Sequence, residues 1–135
     1  MNLTIREYTL YDEREILPLY ESAGWKVYTN SPDVLDRAFS HSMLILAARD
    51  GERLIGILRA VGDGETIAFI QDLLIHPNWQ RKGIGTALVK EFLSRYPHVR
   101  QIQLTADSDP SLIAFYKSLG FRPVCDFGCT SFWKG

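Results

Sequence analysis

The sequence predicts a single α/β domain, spanning residues 1–135, around one mixed β-sheet of about seven strands flanked by four helices. The length is that of one ordinary domain. Segments of strand and helix periodicity alternate in the second half, which favours a crossover helix packed on a sheet. Residues 66–76 are nearly all apolar, as expected for a central strand that is covered on both faces.

The predicted elements run in the order β-α-α-β-β-β-α-β-α-β-β, with early strands antiparallel and a crossover helix late. They are a strand at 3–8, helices at 12–23 and 32–40, strands at 43–48, 54–61 and 66–76, a helix at 84–95, a strand at 100–106, a helix at 110–119, and strands at 121–126 and 129–133.

Capping residues and turn residues mark the boundaries of the early elements. In the first helix, apolar side chains recur at helical spacing from Ile16 to Ala23, and Pro18 is expected to kink it. Ser31 is placed to cap the second helix, with proline in its first turn. The Asp50-Gly51 pair predicts a tight turn between the next two strands, because both residues tolerate positive φ.

The later helices carry equally clear signals. The helix at 84–95 has an apolar stripe, and the helix at 110–119 repeats the i, i+3, i+4, i+7 spacing from Leu112 to Leu119. Asp109 is placed to cap this last helix, Pro110 to occupy its first turn and Gly120 to end it.

The composition argues against several classes of protein. The net charge is −1 and no run of like charges occurs, so we expect no nucleic-acid partner. No apolar stretch is long enough to cross a membrane, and the N-terminus lacks an apolar signal core. Cys125 and Cys129 are too few for a disulfide scaffold or a zinc site. We therefore expect a cytoplasmic protein with reduced thiols and no metal.

The stretch from Gln71 to Leu88 is the most informative for function. A buried strand stops at Pro77, a short loop follows, and a helix begins near Gly83. The start of a helix offers free backbone N–H groups and the positive end of its dipole, which together favour an anion. Glycines at 83 and 85 allow a phosphate to approach the main chain closely. The segment predicts a site for a phosphorylated ligand.

Two common nucleotide motifs do not fit this segment. A dinucleotide fingerprint requires a third glycine where this chain has Leu88, and a nucleotide P-loop requires Gly-Lys-Ser/Thr, which is absent. The two glycines by themselves are also compatible with close packing of a helix on a strand.

Two motifs in the chain resemble those of the GNAT acetyltransferases. Gln80-Arg81-Lys82-Gly83-Ile84-Gly85 matches the Gln/Arg-x-x-Gly-x-Gly/Ala motif of that family, and it follows a strand ending in Leu74-Ile75-His76-Pro77. A second signature, Ala114-Phe115-Tyr116-Lys117-Ser118-Leu119-Gly120-Phe121, lies about thirty residues later. The resemblance implies the GNAT fold and transfer of an acetyl group from acetyl-CoA to an amine.

The resemblance also implies which residues hold acetyl-CoA. In similar enzymes the central strand carries a bulge and splays from its neighbour, and the pantetheine arm lies in that gap. Carried over, the backbone of Leu73, Leu74 and Ile75 pairs with the pantetheine amides. The pyrophosphate is held by the loop residues, with Ser108 and Lys117 as further contacts; the loop residues are Gln80, Arg81, Lys82, Gly83, Ile84, Gly85 and Thr86.

Two residues are candidates for proton transfer. Tyr116 occupies the position at which many relatives place a phenol near the coenzyme sulfur, where it donates to the departing thiolate. The alternative interpretation is that Tyr116 is only a core residue in the apolar stripe of its helix. Asp72 is the candidate base for the ammonium of the acceptor, because a carboxylate on a buried strand has a pKa open to perturbation. The alternatives are an Asp72 bound to backbone amides or an arginine, and deprotonation through water.

The acceptor side is predicted to involve the loop at 24–30. Its Trp25 and Tyr28 either form an aromatic face for an amine or pack over the seam between helix and sheet. Together with the Val61-Gly62-Asp63-Gly64 turn and the Ile70-Gln71-Asp72 stretch, this loop resembles a branch of small GNAT proteins that includes plant-type arylalkylamine and lysine acetyltransferases. The aromatic C-terminal segment at 129–133 either completes the pocket or forms a homodimer contact.

The function predicted from these residues is acetyl transfer to a primary amine by direct attack in a ternary complex. The acceptor is a small-molecule amine or a protein lysine. The alternative from another class is a non-catalytic module that binds acyl-CoA and senses its level.

Overall fold

A computed structural model describes all 135 residues, with five strands and five helices. By its contacts the chain divides into two compact units, Met1–Thr105 and Ala106–Gly135. The elements of the first unit are β1 Leu3–Glu7, α1 Glu13–Ser22, α2 Lys26–Thr29, α3 Pro32–Ser40, β2 Leu44–Asp50, β3 Arg53–Gly62, β4 Ile67–Ile75, α4 Ile84–Arg95 and β5 Gln101–Leu104.

The five strands form one mixed sheet in the order β1-β2-β3-β4-β5. The first four are antiparallel neighbours, and β5 joins β4 in parallel. The parallel step requires a crossover, which α4 supplies. The predicted antiparallel start and late crossover of the sheet are confirmed.

Helices α1 and α3 bury their apolar stripes against one face of the sheet. Their contribution includes Ile16, Tyr20 and Phe39, which pack in one cluster with Ile57 of β3 and Leu74 of β4. Helix α4 contacts β1 to β4 and buries Ile84, Leu88, Val89 and Phe92. Alternation of side chains along the strands lets one sheet serve both sets of helices. Residues of β4 therefore reach both cores.

The second unit consists of α5 Pro110–Ser118 and a 3-10 turn at Val124–Phe127. Asp109 caps α5 by accepting from the N–H of Ser111 at 2.8 Å, as the sequence predicts. None of the side chains of α5 is fully buried in the structure.

The predicted total of seven strands and four helices is wrong in two places. The strands expected at 121–126 and 129–133 do not form. Pro123 has no N–H for a sheet ladder, and Gly128 adopts a left-handed φ of 74°, which ends the extended path between the two segments. The fifth helix, α2, occupies four residues of the segment expected to be a loop.

No helix of the chain is long and apolar enough to cross a membrane. No group of three or more His, Cys, Asp or Glu side chains lies close enough together to hold a metal ion.

Candidate active site

The central strand β4 is paired along both edges in its first half and along one edge in its second half. Residues 67–70 pair in parallel with β5, and nearly the whole strand pairs antiparallel with β3. The register with β3 shifts between Ile70 and Asp72, so Gln71 forms a bulge. From the bulge onward, the edge of β4 opposite β3 has no paired strand.

Leu73 and Ile75 supply the backbone groups of this open edge. The N–H of His76 donates to the carbonyl of Ile55 on β3 at 2.8 Å. In an antiparallel pair, alternate residues turn their N–H and C=O to the same side. Leu74 therefore directs its backbone groups toward β3, whereas those of Leu73 and Ile75 point away from β3.

The chain leaves β4 through a 3-10 turn at Pro77–Trp79 and then reaches α4 by an exposed loop. The side-chain amide of Gln80 donates to the carbonyl of Ile75 at 3.1 Å and ties this loop to the end of the strand. Arg81 has a φ of 63° and is the only non-glycine residue with positive φ. That conformation costs roughly 1 kcal/mol for a residue with a Cβ, and such outliers cluster at functional sites.

The backbone N–H groups of residues 81–86 donate to no acceptor within the protein. The first internal hydrogen bond of α4 runs from Ala87 to the carbonyl of Gly83, at 3.0 Å. Gly83 is the N-cap, with a left-handed φ of 80° and no side-chain cap. A Cβ built on it meets nothing within 4 Å, so the space before these amides is open. Converging N–H dipoles at a helix start suit the two phosphates of a coenzyme.

Asp72 lies in a buried network on the face of the sheet covered by α1. Its carboxylate accepts from the Nε of Arg59 on β3 at 2.7 Å, and the two side chains are 1% and 6% exposed respectively. The hydroxyl groups of Tyr20 and Tyr28 donate to it at 2.8 and 3.1 Å. Burial and then the charge of Asp72 raise the pKa of Tyr20 far above its usual value. Asp72 thus has the arginine-bound arrangement that the sequence left open as an alternative to a base.

Trp25 and Tyr28 lie beside this network. Trp25 immediately precedes α2, and Tyr28 lies within it. Both side chains are half-buried and pack on the core, with Tyr20 between 5 and 6 Å from each ring centre in edge-on contact. The Nε2 of Gln71 donates to the hydroxyl of Tyr28 at 3.4 Å. The two aromatic residues therefore cover the core, and Tyr28 also reaches the bulge of β4.

The remaining predicted residues, Ser108, Tyr116 and Lys117, belong to the second unit. Tyr116 is half-buried, with Phe115 and Phe121 at 4.9 and 6.0 Å between ring centres. Burial raises the pKa of its phenol, so the phenol keeps its proton at neutral pH. Ser108 and Lys117 are exposed.

Comparison with known proteins decides the family. Residues 11–129 match the family model of the acetyltransferase (GNAT) domain. The chain belongs to the GNAT acetyltransferase family. The solved structure of the GNAT family protein SP0256 from Streptococcus pneumoniae TIGR4 is 35% identical, with 98% of both chains covered and a TM-score of 0.88.

Two sequence relatives of this GNAT chain are named N-acetyltransferases. An uncharacterized N-acetyltransferase, ycf52, of Gracilaria tenuistipitata var. liui is 33% identical over 119 residues, which are 85% of this chain. The chain spans 64% of the length of that relative. The chloroplastic serotonin N-acetyltransferase 2 of Oryza sativa subsp. japonica is 32% identical over 93 residues, 64% of this chain and 46% of that protein.

Sequence reasoning on this GNAT chain missed Arg59 and Tyr20. Arg59 stands alone as a charged residue within the buried run of β3, just as Asp72 does within β4. A charge inside an apolar strand requires a buried partner of opposite sign, so two such residues on predicted neighbouring strands were a usable signal. Tyr20 gave no comparable signal, since it also fits the apolar stripe of α1.

Proposed function

We propose that this GNAT chain transfers an acetyl group from acetyl-CoA to a primary amine in a ternary complex. The observation that carries the proposal is the meeting of two open features at one end of β4. One is a strand edge without a partner, and the other is the row of amides at residues 81–86. A chain with an amide-containing arm and a pyrophosphate complements both.

We propose that the pantetheine arm contacts the open edge of β4 and that the pyrophosphate contacts the amides after it. The outward C=O of Leu73 and the outward N–H of Ile75 are free to pair with pantetheine amides in the manner of an added strand, whereas the C=O of Ile75 already accepts from Gln80. The amides of residues 81–86 donate hydrogen bonds to the pyrophosphate, and the exposed Arg81 and Lys82 add positive charge. Ser108 and Lys117 remain proposed contacts that rest on the family resemblance.

Acetyl-CoA, when bound, supplies the activated acetyl group as a thioester. We assign to the outward N–H of Leu73, the one nearer the bulge, the stabilisation of the thioester carbonyl oxygen as it gains negative charge. One such donor contributes about 3–4 kcal/mol. Tyr116 is the proposed donor of a proton to the departing sulfur, because its phenol is protonated at neutral pH and its hydroxyl has no partner within the second unit.

The proposed acceptor is a small amine with an aromatic body. Tyr28 presents a half-buried ring next to the bulge of β4, and the half-buried ring of Trp25 lies 6.0 Å from it. The charge of Asp72 is already balanced by Arg59. That balance leaves no free carboxylate in the network to attract a second positive charge. The serotonin N-acetyltransferase relative has a substrate of this class in its name. Loss of the ammonium proton is assigned to water, since both oxygens of Asp72 accept hydrogen bonds.

Release of free thiol from acetyl-CoA tests the proposed activity. The panel of acceptors contains an arylethylamine, an aliphatic amine, a polyamine and a lysine-containing peptide. We expect turnover with the arylethylamine to exceed that with the others. Saturable coenzyme binding without turnover on any amine would identify a sensing module instead. Preference for the peptide would move the acceptor to protein lysine.

The role of Tyr116 is tested by Tyr116→Phe, with Tyr96→Phe at the end of α4 as the matched control. We expect turnover to fall about 10- to 1000-fold, with coenzyme affinity unchanged, because the variant removes only a proton donor. The control keeps wild-type turnover. Equal turnover in both variants would return Tyr116 to a packing role.

A further inference from the structure

Arg59 and Asp72 form a charged pair in the middle of two apolar strands. A buried ion pair is by itself weak evidence for stability, since desolvation offsets much of the attraction between its charges. The pair in this chain also binds two tyrosines and, through Nη1 of Arg59 at 3.3 Å, the hydroxyl of Ser42. An arrangement with this many directed hydrogen bonds fixes orientation.

The direction of each hydrogen bond in the network is determined by its chemistry. An ionised carboxylate only accepts, so Tyr20 and Tyr28 must both donate their hydroxyl protons to Asp72. Tyr20 is fully buried, and its hydroxyl donates to Asp72 from within the core. Tyr28 is half-buried, so its hydroxyl oxygen can also accept hydrogen bonds from groups outside the network.

The hydroxyl of Tyr28 also lies at a defined point along β4. It accepts a hydrogen bond from the side-chain amide of Gln71, and Gln71 is the bulge residue at which β4 is no longer paired with β5. An acceptor of hydrogen bonds is thus held beside the start of the open edge. It is oriented from within the core by a pair of charges rather than by a flexible side chain.

We propose that the hydroxyl of Tyr28 accepts an N–H of the neutral acceptor amine and so points the nitrogen lone pair toward the acetyl donor. Arg59 and Asp72 are positioning residues that act through Tyr28. A primary amine has two N–H groups and one lone pair in tetrahedral directions, so fixing one N–H constrains the lone pair. This positioning role rests on the proposed function and names a contact for the acceptor that the proposed function leaves undefined.

Tyr28→Phe tests the contact, because it removes the hydroxyl and keeps the aromatic ring. Tyr11→Phe is a matched control: the hydroxyl of Tyr11 is buried without a partner, and its ring packs on Phe39 in the same core. We expect Tyr28→Phe to lower kcat/KM for the amine about 10- to 100-fold, the scale of a misplaced reactant, with the KM for acetyl-CoA unchanged. The control keeps wild-type values.

The positioning residues need a variant that leaves no charge unpaired. Asp72→Asn alone would leave Arg59 buried without a counter-charge, which is strongly destabilising. The double variant Arg59→Met/Asp72→Leu replaces the pair by apolar groups of similar volume. We expect it to lower kcat/KM for the amine as Tyr28→Phe does. Adding Tyr28→Phe to the double variant then causes little further loss, because the hydroxyl is no longer oriented.

The outcomes separate this inference from the proposed function. Wild-type kcat/KM for the amine in Tyr28→Phe, or a full additional loss when Tyr28→Phe is placed on the double variant, would overturn the role of Tyr28. A wild-type chain that binds no coenzyme and releases no thiol would overturn the proposed function, and the positioning role with it. If the double variant does not fold, the comparison of Tyr28→Phe with Tyr11→Phe still decides.

Discussion

One glycine-containing turn precedes β4, and a second glycine-containing loop follows it. The backbone amides of the first have an acceptor within the protein, whereas those of the second have none. Before the strand, the carboxylate of Asp63 accepts from the N–H groups of Glu65, Thr66 and Ile67 at 2.8 to 3.1 Å. After the strand, the amides of residues 81–86 have no acceptor in the protein.

This difference distinguishes a structural turn from a binding loop, although the two segments look alike in sequence. Both contain left-handed glycines, Gly64 with a φ of 74° and Gly83 with a φ of 80°. In the first turn the anion is the carboxylate of Asp63 itself. The hydrogen bonds that it accepts hold the pKa of Asp63 well below its usual range, and the one from the Thr66 hydroxyl has the largest effect. In the second, an anion has to come from outside. Unsatisfied donors, more than glycine content, therefore mark the ligand site.

The largest expected effect comes from Gly83→Val. The added side chain would occupy the open space in front of the amides and exclude a pyrophosphate. We expect the affinity for coenzyme A, measured by calorimetry, to fall by roughly 100-fold or more, because several charge-assisted hydrogen bonds are lost.

The control for that variant is Gly51→Val in the turn between β2 and β3. Gly51 has a similar left-handed φ of 62° and equally open space around its Cβ. Both variants should lose stability to a similar extent, whereas only Gly83→Val loses binding. Undiminished binding by folded Gly83→Val would place the coenzyme elsewhere.

The next effect is one of stability alone. Asp63→Ala deprives three amides of their acceptor, and we expect the Tm to fall by several degrees while coenzyme affinity stays at the wild-type value. Glu65→Ala is the control, since the carboxylate of Glu65 is exposed and makes no hydrogen bond. A loss of coenzyme affinity in Asp63→Ala would mean that the two ends of β4 are not independent.

The stability that Asp63 provides should depend on pH. Its pKa is lowered in the folded chain, so its contribution is complete above the unfolded pKa of about 4 and is lost as the pH falls below that value. The difference in Tm between wild type and Asp63→Ala should therefore become smaller as the pH is lowered below about 4. A constant difference down to the lowest pH at which the chain folds would contradict this assignment.

The smallest expected effect concerns the strain at Arg81. Arg81→Gly and Arg81→Ala both remove the guanidinium, but only glycine accepts a φ of 63° without steric cost. We expect the glycine variant to be more stable than the alanine variant by about 1 kcal/mol in denaturant unfolding. Equal stabilities would show that this backbone conformation is not strained.

The sequence alone was sufficient for features that depend on neighbouring residues. The helix start at Gly83, the cap at Asp109 and the order of the strands up to β5 follow from local periodicity, turn residues and caps, whereas the short helix α2 was expected to be a loop. The whole-chain resemblance to GNAT proteins rested on two such local motifs, and the family match confirms it.

The features that escaped prediction depend on pairing between distant residues. The family resemblance implied a bulge and splaying in the central strand, but the position of the bulge at Gln71 and the end of pairing after Ile70 are properties of three strands together. The contact of Arg59 with Asp72 joins two strands, and that of Asp72 with Tyr20 joins residues 52 positions apart. The expected strands at 121–126 and 129–133 failed for the same reason: strand-like composition does not provide a partner strand.

Titration of ¹⁵N-labelled protein with coenzyme A, followed through the backbone amide signals, locates the bound coenzyme along the chain. We expect saturable shifts concentrated at residues 81–86 and at Leu73 and Ile75, with the amides capped by Asp63 unchanged. Saturable binding that leaves the amides of residues 81–86 unmoved, or no binding at any coenzyme concentration, would overturn the proposed coenzyme site.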